Sequence, residues 1–306
     1  MSLRLPQVHG VYLQAEDECA AMHMCIGASL GGMKAMTATS GPGFILYMDP
    51  YGWALGCETP VVVLNSGRGG PVSGVTGAPG QGEFYLMRYP TQGGNFEAIC
   101  LAPNTAQECM AMTIEAFYLS ERFRMPVSVL ADQLITDGFE DISVPENDDE
   151  MKEMGFRTWP RKIHQGPDFY PSSDALDVAP VVLGHNTGAL CSDWTPTEEG
   201  FDIEEVEAHH KHAYRLIYKV RNHRDIFNHH FEKKYMDDDP DLVVVSYGSP
   251  SRVVATAVEK ARGMGLKVGS LRLINIWPFP DEHFDRKTKY LSVELNWDGQ
   301  LVREVK

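Results

Sequence analysis

Gly10-Val11-Tyr12-Leu13-Gln14-Ala15-Glu16-Asp17-Glu18-Cys19-Ala20-Ala21, followed downstream by Thr39-Ser40-Gly41-Pro42-Gly43, is the stretch that decides the fold. The run from Gly10 to Gln14 is short, apolar and partly β-branched or aromatic, which predicts a buried strand delivering its last residue to a sheet edge. The acids after it open a helix predicted over 17–33, with Ala20, Ala21, Met24, Ala28 and Leu30 as a small-residue face. Gly27, Gly31 and Gly32 would let another backbone approach that helix closely. Ala35-Met36-Thr37-Ala38 predicts a second strand, and Thr39 to Gly43 a sharp turn into the next helix. The resulting β-α-β-α order is that of a doubly wound parallel α/β sheet. Ligands of such sheets bind beyond the carboxyl ends of strands, so Glu16, Asp17 and Glu18 stand where a ligand would be held. Acids at a helix start also have a plainer use, since they stabilise the positive end of the helix dipole.

Working outward, Pro60-Val61-Val62-Val63-Leu64 reads as a buried strand, and Asn65-Ser66-Gly67-Arg68-Gly69-Gly70-Pro71 leaves it as a glycine-rich loop. Arg68 is therefore expected at the same sheet edge as Glu18, where its guanidinium would match a carboxylate through two parallel hydrogen bonds. A surface ion pair is the alternative use of a loop arginine. A helix is predicted over 106–122 with Met110, Ile114, Phe117 and Leu119 on one side, then a strand over 126–130, with Asp132 as a structural cap. Residues 137–203, rich in acids and then in Pro, Gly and Ser, read as a long wrapping connection that would lie against a partner subunit. A polar, solvated helix is expected over 204–231, carrying His209, His210, His212, His223, His229 and His230. A metal site on it would need two imidazoles on one face, and no metal site is expected. Beyond residue 240, strands over 241–246, 266–273 and 290–294 and a helix over 251–262 predict a second, smaller parallel α/β domain. The expected division is 1–136, 137–240 and 241–306.

These motifs together carry a resemblance. Glu-Asp-Glu-x-Ala-Ala, Thr-Ala-Thr-Ser-Gly-Pro-Gly, Arg-Gly-Gly-Pro with a later glutamine at Gln81, Trp277-Pro278-Phe279-Pro280, and Glu294-Leu295-Asn296-Trp297-Asp298-Gly299-Gln300 resemble the alpha-type subunit of the 2-oxoacid:ferredoxin oxidoreductases. The resemblance implies a thiamine diphosphate pyrimidine-binding domain followed by a transketolase C-terminal-like domain. It implies that Glu18 hydrogen-bonds the aminopyrimidine ring and supports removal of the thiazolium proton, with Glu16 as second candidate. The family's glycine, at a fixed distance after the glutamate, corresponds to Gly27 and points to Glu18. Thr39, Ser40 and Gly41 would complete the coenzyme contacts, and Arg68 and Gln81 would hold the 2-oxoacid. A buried carboxylate is the group that can share a proton with a ring nitrogen. Where many members carry Pro-Thr-Lys-Thr-Glu, this chain has Thr76-Gly77-Ala78-Pro79-Gly80, so the oxoacid is left open. The spacing from Arg68 to Gln81 is nearer to the 2-oxoglutarate and pyruvate types than to the branched-chain type. Gly184-His185-Asn186-Thr187-Gly188 faintly resembles a further family element.

The family's Gly-Asp-Gly and later Asn, which anchor the diphosphate and magnesium, have no counterpart here. An obligate beta-type subunit is therefore implied, carrying that site and an iron–sulfur cluster, with gamma and ferredoxin-like subunits as further partners. The implied reaction converts a 2-oxoacid and coenzyme A to an acyl-CoA with electrons passed to ferredoxin. The family's first strand and helix precede its matching region, and another strand and helix follow the point where Lys306 ends; an abbreviated chain, or completion by another polypeptide, is the expectation. A non-redox thiamine decarboxylase and a non-catalytic scaffold subunit are the competing readings.

Composition agrees with these expectations. The 306 residues, 43% hydrophobic and without a long apolar span, suffice for one large or two medium cores and predict no membrane crossing and no secretory leader, with the cytoplasm as default. A net charge of −15 opposes nucleic-acid binding and places an acidic ferredoxin on another subunit. The six cysteines form no Cys-x-x-Cys and are read as reduced, mostly buried thiols. Gly-x-Gly-x-x-Gly and a phosphate loop are absent, and the one Gly-x-Ser-x-Gly match, Gly27-Ala28-Ser29-Leu30-Gly31, falls inside the predicted helix and not on a strand-to-helix elbow, which sets aside dehydrogenase, nucleotidase and hydrolase readings.

Overall fold

Three apolar runs, at 61–64, 126–131 and 242–247, form the centres of two sheets in the computed structural model, which describes residues 2–164, 169–184, 190–191, 194–237 and 239–306. The first sheet contains β1 (Met36–Ser40), β2 (Val61–Gly69), β3 (Val75–Pro79), β4 (Cys100–Leu101) and β5 (Pro126–Asp132). Strands β1, β2, β5 and β4 lie side by side in parallel, and β3 folds back antiparallel on the end of β2. Val61, Val62, Val63, Val127 and Val129 are all buried, as parallel strands covered on both faces require. The cover comes from α1 (Glu18–Leu30), α2 (Gly43–Leu46), α3 (Met48–Gly56), α4 (Phe84–Arg88) and α5 (Ala106–Phe123), with α6 (Gln133–Thr136) ending this unit. Asp17 starts α1 by accepting the Ala20 N–H at 2.8 Å, and Thr105 starts α5 by accepting that of Glu108 at 3.1 Å.

The segment after α6 is largely irregular, with one short helix, α7 (Asp148–Glu153), before α8 (Val206–Arg221). It clamps onto its own first domain. Trp159 packs edge-on against Tyr118, and Arg161 reaches Glu121 at 2.6 Å and the Ser29 carbonyl at 2.6 Å. The second sheet has the order β10 (Tyr290–Val293), β7 (Leu242–Tyr247), β8 (Val268–Leu273), β6 (Phe231–Lys234), flanked by α9 (Pro250–Gly263) and α10 (Gln300–Val305). It is parallel except for β6, which pairs antiparallel with β8. Strand β9 (Asn275–Trp277) leaves this unit and adds an antiparallel edge to β4. The two units therefore interlock, and the second sheet begins with a strand that precedes residue 241.

Several expectations differ from what forms. The run over 10–14 is not a strand: it pairs with no strand among the described residues, and Val11 and Leu13 are 74% and 67% exposed. Its apolar residues lie on the surface, and the sheet starts at β1. The buried stripe of α1 is Met22, Ile26, Ser29 and Leu30, while Met24 and Ala28 face outward. Among the described residues nothing outside α1 lies within 4 Å of where a Gly27 Cβ would stand, so that glycine makes no close contact with another element there. In α5 the buried stripe is Met112, Ala116, Leu119 and Phe123, shifted from the expected face. The polar helix is shorter than expected and not fully solvated, because Arg215 and Lys219 on α8 are buried around Glu58. The stretch 185–188 lies outside the described residues.

Candidate functional site

Strand β1 ends beside β2, with Ser40 opposite Ser66 while β2 runs on to Gly69, and the chain turns at Gly41 with φ +61°. That conformation is easy only for a residue without a Cβ. Glu18, the first residue of α1, meets this turn from one side. Its Oε1 accepts the Thr39 hydroxyl at 3.1 Å, while its Oε2 has no protein partner among the described residues. Gly43 completes the cradle: a Cβ there would run into Thr39 Oγ1 and lie 2.7 Å from Glu18 Cδ. Thr37 and Tyr47 share a hydrogen bond of 2.8 Å behind it. Burial raises the Tyr47 phenol, and Glu18 nearby adds to this, so Tyr47 stays neutral beside the carboxylate. Glu16 is exposed and makes none of these contacts. Ser40 closes the strand without a side-chain hydrogen bond among the described residues.

Arg68 meets the same turn from the other side. Its guanidinium lies across Gly41, where a Cβ would come within 3.0 Å of Cζ and Nη2. It has no ion pair among the described residues, and Nε is buried without a hydrogen-bond partner. A cation without an ion pair and a carboxylate with one open oxygen thus flank the Gly41-Pro42 turn at the carboxyl edge of a parallel sheet. The open carboxylate oxygen and the glycine cradle fit a flat, nitrogen-bearing ring, and the guanidinium fits a carboxylate.

The thiamine diphosphate-binding domain of the pyruvate flavodoxin/ferredoxin oxidoreductases matches residues 1–189, and pyruvate:ferredoxin oxidoreductase core domain II matches residues 240–306. This chain belongs to the 2-oxoacid:ferredoxin oxidoreductase family. The 2-oxoglutarate synthase subunit KorA of Methanothermobacter thermautotrophicus is 36% identical over all of this chain and 80% of its own length. The ketoisovalerate oxidoreductase subunit VorB of Methanothermobacter marburgensis is 32% identical over 98% of this chain and 77% of its own. A solved 2-oxoglutarate:ferredoxin oxidoreductase from Magnetococcus marinus, with 2-oxoglutarate, coenzyme A and succinyl-CoA bound, superposes with a TM-score of 0.86 at 27% identity. That match covers 99% of this chain and 53% of the other, so the chain spans about half of that polypeptide.

Gln81 of this family member stands apart from the Glu18 and Arg68 cleft. It is buried in the seam between the two sheets, and both ends of its amide are engaged: Nε2 donates to the Tyr247 carbonyl at 3.0 Å, and Oε1 accepts the Leu295 N–H at 2.9 Å. Asn296 reaches the Gln81 carbonyl at 3.1 Å, and Gln300 donates to that of Gly82 at 3.0 Å. The Glu294 carboxylate accepts from Asn296 and from the Leu301 N–H, so the Glu-x-Asn-x-x-Gly-Gln motif braces the base of the hairpin that carries Arg68. Asp132 works as a cap, but of the neighbouring unit: its Oδ2 accepts the Ser249 N–H, at 2.8 Å, where α9 begins.

Glu83 is a site neighbour that sequence reasoning missed. Its carboxylate lies under the Arg68 backbone, at 3.4 Å from the N–H, and Oε2 is buried with no hydrogen-bond partner among the described residues. Burial pushes it up to about 7, against the pull of surrounding N–H groups and of Arg68. Only the Gln-Gly-Glu order marks it in the sequence, and nothing local distinguishes it from a loop acid. The histidines do not gather on one helical face: His209, His210 and His212 lie on α8, and His223, His229 and His230 beyond its end. His229, His230 and Glu115 do approach one another within 4.8 Å, but Glu115 is held by Arg157. Among the described residues no helix is long and apolar enough to cross a membrane.

The cradle makes Gly43→Ala informative. The added methyl displaces the Glu18 carboxylate, and misplacement by about 1 Å is expected to lower oxoacid-dependent turnover about 10²-fold. Steady-state kinetics of the assembled enzyme measures this; turnover within twofold of wild type would show that the turn does not fix Glu18.

Proposed function

We propose that this chain supplies the pyrimidine side of a thiamine diphosphate site in a 2-oxoacid:ferredoxin oxidoreductase, which converts a 2-oxoacid and coenzyme A to an acyl-CoA and carbon dioxide while two electrons leave for ferredoxin. The observation that carries this reading is the pairing of Glu18, hydrogen-bonded to Thr39, with the unpaired Arg68 guanidinium on either side of the Gly41 turn. Bound thiamine diphosphate supplies the nucleophilic carbon and the electron sink for decarboxylation. Glu18 would hold the aminopyrimidine and its proton, with Thr39 fixing the carboxylate and Ser40 and Gly41 lining the turn. Arg68 would orient the oxoacid carboxylate toward that ring. Gln81 would act through the hairpin, by bracing it, and not by touching substrate.

The residues present account for half of the coenzyme, so a beta-type subunit is proposed to hold the diphosphate, its magnesium and an iron–sulfur cluster, with gamma and ferredoxin-like subunits completing electron transfer in the cytoplasm. The relatives named for 2-oxoglutarate, and the bound 2-oxoglutarate in the similar structure, favour a dicarboxylic oxoacid over a branched-chain one. Mixing the chain with its beta-type partner and measuring oxoacid- and coenzyme A-dependent reduction of a viologen dye tests the assignment. Dye reduction is expected. Decarboxylation without dye reduction would indicate a non-redox decarboxylase, and neither activity a scaffold.

Arg68→Lys is expected to raise the KM for the oxoacid about 10- to 100-fold, because charge-assisted hydrogen bonds contribute about 1.5–3 kcal/mol and lysine cannot form the paired set. Thiamine diphosphate affinity should stay unchanged. An unaltered KM would remove Arg68 from substrate binding.

A further inference from the structure

Glu115 stands on α5, and His229 and His230 stand side by side in the segment between α8 and β6. One ligand atom from each of the three lies within 4.8 Å of the other two. His230 Nε2 is 3.4 Å from Glu115 Oε1, longer than the roughly 2.7–3.2 Å of an ordinary N–H···O bond. Two ligands at about 2.1 Å from one tetrahedral zinc ion stand about 3.4 Å apart, so this pair already has the spacing of neighbours around a shared ion. His230 is 6% exposed, and its Nδ1 is buried without a hydrogen-bond partner among the described residues. In either neutral tautomer, therefore, the ring has a nitrogen lone pair that meets a carboxylate oxygen or no partner at all. His229 is exposed, and its ring meets that of His230 edge-on with centres 4.4 Å apart, which opens the group to solvent.

We propose that Glu115, His229 and His230 bind a divalent ion of the zinc class, which ties α5 to the start of the second sheet. Two imidazoles and a carboxylate are a known donor set of zinc sites with three protein ligands, in which water takes the fourth position. Imidazole donors select against magnesium and calcium, which take oxygen ligands. The position in the fold gives the tie its use. The His230 carbonyl accepts the N–H of Ile274 at 3.0 Å and that of Asn275 at 2.9 Å, where the chain leaves β8 and crosses as β9 to β4. Holding His230 to Glu115 holds that crossover to the first unit.

Arg157 leaves room for the ion. Its Nε donates to Glu115 Oε2 at 3.1 Å and its Nη2 to Oε1, which takes two of the roughly four lone-pair sites of a carboxylate. The same guanidinium lies on the Tyr118 ring, 4.4 Å from its centre. The paired hydrogen bonds fix the direction of the carboxylate, as outer partners do for metal ligands. Repulsion between guanidinium and ion lowers the affinity, so binding in the micromolar range is expected. None of the three ligands belongs to the Glu18 and Arg68 cleft, so the site neither requires nor tests the catalytic assignment.

Equilibrium dialysis of the reduced, untagged chain against micromolar zinc, with bound metal counted by mass spectrometry, tests the site. One zinc per chain is expected, and magnesium at the same concentration should not be retained. His229→Ala, at an exposed position that the fold does not depend on, should weaken zinc binding about 10-fold or more. Zinc should raise the melting temperature of the wild type and leave that of His229→Ala unmoved. X-ray absorption at the zinc edge should show nitrogen and oxygen ligands without sulfur. No retained zinc, equal retention by wild type and His229→Ala, or sulfur ligands drawn from the six thiols would overturn the proposal.

Discussion

Glu18→Gln is expected to lower oxoacid-dependent turnover of the assembled enzyme by about 10² to 10⁴, the range over which a positioned proton-transfer group contributes. Glutamine keeps the shape, and its amide can still accept the Thr39 hydroxyl, so the cradle formed by Thr39 and Gly43 should survive. What is lost is a group that can share a proton with a ring nitrogen. The substitution should thus separate chemistry from binding, with kcat falling and coenzyme content little changed. Near-normal rates would remove Glu18 from the role and return attention to Glu16, which the fold leaves on the surface.

Glu58→Ala is expected to destabilise the protein by about 3–5 kcal/mol, the cost of stripping a buried ionic group of one partner. Glu58 receives Arg215 through Nε at 2.6 Å and Nη2 at 2.9 Å, Lys219 at 3.2 Å and Arg124 at 3.4 Å, all in the interior. Burial alone would raise this carboxyl, but the three cations hold it well below its ordinary value. Burial also pushes Lys219 down to about 7, opposed by Glu58. Arg215 further binds the carbonyls of Ser173 and Ala175, and Arg124 that of Phe169, so the cluster fastens the connection to the first domain. Because the folded value is depressed, the Glu58 contribution is complete above the unfolded carboxyl value of about 4.3 and is lost as pH falls through the folded one. Urea denaturation of wild type and variant should differ fully at neutral pH and converge in acid. A difference below about 1 kcal/mol at pH 7 would show that the cluster is not fastening the fold.

What the sequence disclosed is what local patterning encodes. Val61 to Leu64, Pro126 to Leu130 and Leu242 to Ser246 announce themselves as buried parallel strands because both faces are apolar. Thr39 and Arg68 were legible as candidate site residues because each adjoins a turn at a strand end, and the parallel order brings such ends together, whereas Glu18 was legible from its motif, since the strand expected before it does not form. The run over 10–14 misled because Val11, Tyr12 and Leu13 read the same whether they pair in a sheet or lie on a surface. Long-range pairings left no local trace. Arg215 binds Glu58 across 157 positions, and β9 crosses to β4 from the far unit. The use of Gln81 as a brace depends on Tyr247 and Leu295, which only the folded chain brings near. Glu83 becomes distinctive through burial beneath Arg68, a property of packing and not of spacing.

The proposed role of Glu18 is to meet the aminopyrimidine and support removal of the thiazolium proton. Its most direct measurement is the hydrogen–deuterium exchange rate at that carbon of bound thiamine diphosphate, followed by acid-quench NMR in the assembled enzyme with Glu18 and with Glu18→Gln. Exchange is expected to slow about 10²-fold or more in Glu18→Gln while the coenzyme remains bound. Equal exchange rates in the two proteins, at equal coenzyme occupancy, would contradict it.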